Sequence, residues 1–156
     1  MADVEKININ STDYDIADAK ALRNKDNVGS GTFVDSRAGT TIYPTLGTNL
    51  TNATIIGDKA YITNNNVLYD ITVVGANAYA GSSYVTVIGN NAYALSASSL
   101  VCGYQAKANA SASYSVVLGP SASSFNTYNT VVGYNARANA ANNVVVGANS
   151  LANGES

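Results

Sequence analysis

The chain has no histidine or tryptophan, one cysteine, one methionine and two prolines in 156 residues, and its charged side chains number eight basic and ten acidic. Each shortage excludes something. Acid–base and nucleophilic catalysis and transition-metal binding draw mostly on histidine, cysteine and clustered carboxylates, so a catalytic reading starts without its usual parts. Cys102 stands alone and forms no intrachain disulfide; beside Leu100, Val101 and Gly103 it is expected to be a small buried hydrophobe. A formal charge of −2 leaves no concentrated basic surface for a nucleic-acid backbone. No stretch holds about 18 unbroken apolar residues, which argues against a membrane-spanning helix. The opening MADVEKININSTDYD is charged where a secretory leader needs an apolar run. The expectation is one small domain, or a small shaft with an anchoring segment, that is not an enzyme, takes no metal or cofactor, and neither binds nucleic acid nor inserts in a membrane.

The charges that exist are unevenly placed. Fourteen fall in residues 1–59, and only Asp70, Lys107, Arg137 and Glu155 lie beyond. Residues 1–45 read as an irregular polar segment that opens on a β-like stretch, Val4–Asn10. A short helix is expected over Asp13–Lys25, where Ile16, Ala17, Ala19, Ala21 and Leu22 have acids before them and Lys20, Arg23 and Lys25 behind. The Gly29-Ser30-Gly31 turn and an Asp35–Thr41 loop follow. So few large apolar residues build no core alone, and the segment is expected to gain order by docking on another body.

Residues 46–156 are governed by a repeat. Glycines stand at Gly57, Gly75, Gly89, Gly103, Gly119, Gly133 and Gly147, separated by 18, 14, 14, 16, 14 and 14 residues. The residue before each glycine is apolar: Ile56, Val74, Ile88, Cys102, Leu118, Val132, Val146. The one before that is β-branched: Ile55, Val73, Val87, Val101, Val117, Val131, Val145. Three and five places after the glycine come small residues, typically alanine, as in Ala78 and Ala80 or Ala92 and Ala94, with Ile62 the exception in the first unit. Between them stand Tyr61, Tyr79, Tyr93, Lys107, Ser123, Arg137 and Leu151, the outward side of a period-two strand. Each unit therefore reads as two short strands joined at a glycine corner, with small residues facing large ones so that two sheets approach closely. Recurrent glycine, asparagine and β-branched residues exclude a helical reading of the alanine-rich stretches. About seven coils of this kind stack into an all-β parallel roll. The asparagines two places after the glycine (Asn77, Asn91, Asn135, Asn149) are expected to hydrogen-bond along the stack.

Two consecutive apolar residues in one strand point to opposite faces. One fills the roll; the other is left as a long apolar stripe, either Ile55, Val73, Val87, Val101, Val117, Val131 and Val145 or their neighbours. A stripe of that length marks an association surface, so the chain is expected to self-associate.

The units TVVGANAYA, TVIGNNAYA, VVLGPSASS, TVVGYNARANA and VVVGANSLA resemble the YadA-like head repeat of trimeric autotransporter adhesins, over about two-thirds of the chain. That resemblance implies a left-handed parallel β-roll and a homotrimer closed around the apolar stripe. The export signal, coiled-coil stalk and membrane-anchoring barrel of that family are expected to be lacking, which sets the chain apart from a bacterial surface adhesin. The roll is also similar to modules in the fibres of tailed bacteriophages, which assemble in the host cytoplasm. The expected function is thus a virion structural protein: a short trimeric fibre or decoration on the capsid surface, docked through residues 1–45, with host-surface glycan attachment as a further role. A tail-fibre or baseplate component, and an autotransporter head fragment, are the alternatives of the same class.

Two rivals come from other classes. Solenoid glycosidases need paired carboxylates, whereas the repeat offers only Asp58 and Asp70 before Glu155, and the Asp13, Asp15 and Asp18 cluster reads as solvated or docking charge. An ice-binding solenoid is suggested by Thr54, Thr72, Thr86 and Thr130, but Leu100, Val116 and Val144 interrupt that column, and the threonines are expected to fill the roll interior or its edge. For glycan contact the candidates are Tyr79, Tyr93, Tyr104, Tyr128 and Tyr134, whose rings can stack on sugars.

Overall fold

Alternation of side chains in the β-branched strands and a corner at every glycine bend the chain into stacked coils. A computed structural model describes residues 6–9, 12–15, 33–35, 50–62 and 68–154. The fold is all-β, with no helix among these residues. Two parallel sheets run the length of the stack. The valine sheet has eight strands, from Phe33–Asp35 and Leu50–Ile56 to Val144–Val146; the alanine sheet has seven, from Tyr61–Ile62 to Leu151–Ala152. Register follows the glycines, so that Val73 pairs with Val87, Val87 with Val101, and Val101 with Val117. The two-residue insertion between Gly103 and Gly119 emerges at exposed Ala110 and Ser111, and the next strand is back in register.

The interior is the large-against-small arrangement. Ile55, Val73, Val87, Val101, Val117, Val131 and Val145 are 0–5 % exposed and pack with fully buried alanines such as Ala78, Ala80, Ala92 and Ala94. A third interior column stands four places before the glycine. It is apolar at Ala53, Ile71 and Val85, then polar at Ser99, Ser115, Asn129 and Asn143, all buried. The polar members are bonded internally. The Asn129 side chain donates to Ser124 Oγ at 3.0 Å and to the Asn126 carbonyl at 2.8 Å, and its Oδ1 accepts the Asn143 amide at 2.9 Å. The Ser124 hydroxyl donates to Ser115 Oγ at 3.3 Å, and the Asn143 side chain donates to the carbonyls of Ala140 and Ala141.

Three left-handed positions turn each coil. At Gly89 φ is +138°, and a Cβ would lie 2.4 Å from the carbonyl oxygen of Gly103 in the next coil, so both conformation and contact require glycine. Two places later, Asn77, Asn91, Asn135 and Asn149 have φ of 52–57°, a region asparagine tolerates better than most residues. Of the expected asparagine ladder the Asn135 rung is present, donating to Asn149 Oδ1 at 3.0 Å, whereas the Asn91 side chain donates to Asn90 Oδ1 within its own coil. The third corner falls five places before the glycine, at residues such as Tyr84, Ser98, Tyr114 and Tyr128, with φ of 56–61°.

The N-terminal expectations fare differently. Lys6–Ile9 is a strand, within the β-like stretch, and pairs antiparallel with Thr12–Asp15. The helix expected over Asp13–Lys25 is corrected at its start, since Asp13–Asp15 belong to that hairpin; its remainder lies outside the described residues, as do the Gly29–Gly31 turn and most of the Asp35–Thr41 loop. Phe33–Asp35 pairs in parallel with Thr54–Ile56, so the valine sheet begins inside the segment read as separate.

Candidate assembly face and surface residues

Strand alternation settles which apolar column faces outward. The stripe Ile55 to Val145 is interior, so placing an intersubunit contact on those seven side chains is corrected: their neighbours carry the outer face. Ile56, Val74, Cys102, Leu118 and Val132 are half-buried there, with Ile88 at 41 % and Val146 at 67 % exposure. Three places before the glycine, Thr54, Thr72, Thr86, Leu100, Val116, Thr130 and Val144 share this face. The threonines thus share the outer face and are half-buried there, so of the two places expected for them, the roll interior or its edge, the interior is corrected. Cys102, expected to be buried, is half-exposed on the same surface because it immediately precedes a glycine. From Thr54 to Val146 these two columns form a parallel-sheet face of β-branched and aliphatic side chains, with Cys102 among them and no charged residue, open in the single chain; in the first strand Asp35 stands in register with Ile56 and ends the uncharged run.

The outer face of the alanine sheet is different in kind. Tyr61 and Tyr79 stack with centroids 4.5 Å apart. Lys107 Nζ lies 5.8 Å from the Tyr93 ring, and the Arg137 guanidinium 4.3 Å from the Phe125 ring. Arg137 also donates to Asn139 Oδ1, and Asn139 to Asn153 Oδ1, each at 2.6 Å. Ser123 departs from the outward pattern, being buried.

The five tyrosines considered for glycan contact do not form one site. Tyr79 and Tyr93 lie on the alanine sheet, Tyr104 and Tyr134 directly after glycines, and Tyr128 at the opposite corner of the valine sheet, stacked on Tyr114 at 5.2 Å. Tyr128 belongs to a corner column with Tyr84 and Tyr114, each 56–59 % exposed; the sequence candidates included Tyr128 but not the other two, whose signal is the constant offset of five residues before a glycine. Asp70, one of two acids considered for catalysis, accepts a hydrogen bond from Asn52 at 2.9 Å. Among the described residues no three His, Cys, Asp or Glu side chains gather to hold a metal ion. Comparison of the chain with family models, curated proteins and solved structures gives no match.

Proposed function

We propose that the chain is a virion structural protein, a short homotrimeric fibre or decoration on a tailed-phage capsid, assembled in the host cytoplasm and docked through residues 1–45. The observation that supports this reading is the outer face of the valine sheet, which from Thr54 to Val146 carries aliphatic residues and threonine without a charge and which like faces of other copies would cover. Three such faces meeting on a common axis leave the alanine sheets, with their tyrosines and cations, directed at the surroundings. The repeat's resemblance to YadA-like heads and phage fibre modules supports three copies and a left-handed coil. The concentration of charge before residue 60 supports docking by the N-terminal segment.

Deletion of residues 1–32, which keeps the Phe33–Asp35 strand of the roll, tests the assignment. The shortened chain is expected to remain a trimer and to be lost from purified particles; retained incorporation would refute docking through this segment. For host attachment, a glycan array probed with the full chain and with alanine replacements at Tyr79, Tyr93 and Tyr134 should show signal that falls with the replacements. No tyrosine-dependent signal removes that role.

A further inference from the structure

The corner column five residues before each glycine carries a ring at Tyr84, Tyr114 and Tyr128; Asn52, Asp70, Ser98 and Asn142 carry none, and of these Ser98 is the one with a ring on the rung at either side. At that vacant rung the structure has an open cleft of about 500 Å³. Tyr84 and Tyr114 form its walls, Ser98 its base, and Thr86, Leu100 and Val116 its floor. Adjacent rings in this column, Tyr114 and Tyr128, lie 5.2 Å apart. Two rungs of a parallel stack span roughly 9.6 Å, so the gap admits one further ring. The floor residues belong to the outer face of the valine sheet, which makes the cleft continuous with the surface assigned above to self-association.

The other edge of the same rung supplies a ring. Tyr104 follows Gly103 directly, is 53 % exposed, and stacks on no other ring among the described residues. In a cyclic assembly whose axis runs along the stack, rotation keeps every rung at one height in all copies. The edge carrying Ser98 in one copy then meets the edge carrying Tyr104 in the next. Neighbouring rungs show the same large-against-small match: Tyr84 is on the rung of Asn90, and Tyr114 on that of Pro120. Among the described rungs, only that of Tyr128 and Tyr134 has a ring at both edges.

We infer that Tyr104 of one copy inserts between Tyr84 and Tyr114 of the next, at the rung left open by Ser98, and that this contact fixes the height at which copies join. The inference rests on the homo-oligomeric reading and assigns Tyr104 to the subunit seam rather than to a glycan. A one-rung slip would set Tyr104 against Tyr84 or Tyr114, where a ring already stands.

The test uses the full chain with Ser98→Tyr, with Tyr104→Ser, and with both, followed by sedimentation velocity over a dilution series. Tyrosine already occupies this corner conformation at Tyr84, Tyr114 and Tyr128, so Ser98→Tyr is compatible with the fold, which circular dichroism checks. Either single replacement is expected to weaken association about tenfold or more. The double replacement, which restores one ring per rung, should return it to within about threefold of the original. Association unchanged by Ser98→Tyr, or a double variant no better than that single one, overturns the inference. A photoreactive benzoylphenylalanine at position 104 gives a readout that needs no dissociation. Its crosslinks should join two copies and map between residues 84 and 114; crosslinks elsewhere in an intact oligomer overturn the seam contact alone. An unsubstituted chain that sediments as one copy at every concentration overturns the oligomeric reading along with it.

Discussion

The interior column four places before each glycine is one structural position built in two chemistries. In the first coils it is Ala53, Ile71 and Val85; in the later ones it is Ser99, Ser115, Asn129 and Asn143. Both halves are buried and both fit the same coil. The difference shows that a roll of this kind demands filled volume and paired polar groups rather than apolarity as such. The asparagines succeed because the coil places the Asn126 carbonyl, the Ser124 hydroxyl and the next coil's Asn143 amide within 2.8–3.0 Å of the Asn129 side chain. The apolar half resists through packing, the polar half through directional bonds that also fix the stacking register.

That contrast can be broken from several directions. The largest effect lies at the corner both halves share. Gly89→Ala forces a side chain into a φ of +138° and against the Gly103 carbonyl, and should cost about 3 kcal/mol or more in thermal or denaturant unfolding. Next is the apolar half, where Ile71→Ala leaves a cavity and should cost about 2–5 kcal/mol. In the polar half, Asn129→Leu keeps the bulk but strips the Asn143 amide of its acceptor. The expected loss is about 1–3 kcal/mol, with faster hydrogen exchange at Asn143 as the specific sign. A loss equal in size to that at Ile71 but with unchanged exchange would mean that both halves are held by packing alone. The smallest effect is outside: Arg137→Ala removes the contact with Phe125 and should cost no more than about 1 kcal/mol.

Much of this was legible in the repeat. The glycine spacing gave the coil, and the β-branched pair and Ala-x-Ala pattern gave two parallel sheets. The period also placed Tyr61, Tyr79, Tyr93, Lys107 and Arg137 on the outside. What was not legible has physical causes. Two adjacent apolar residues cannot tell which of them faces in, because that depends on how the coil closes; here Val87 is buried and Ile88 exposed. Ser99 and Asn129 look like loop residues in a linear reading, and only stacking supplies their bonds. Each repeat glycine before the last has a second reason to be glycine, the carbonyl of the following coil, which no single unit reveals. The first rung, Phe33–Asp35, carries no glycine mark, and the Asp13–Asp15 strand is held by pairing with Lys6–Asn8 rather than by periodicity.

The outer face of the valine sheet connects fold to role, since everything proposed about assembly requires that Ile88, Leu118 and their neighbours be covered by other copies. Sedimentation equilibrium of the purified full chain measures this directly. The account predicts a mass of three chains, 48 kDa from three times 16.0 kDa, persisting on dilution. A folded, soluble species of 16.0 kDa at every concentration would contradict it.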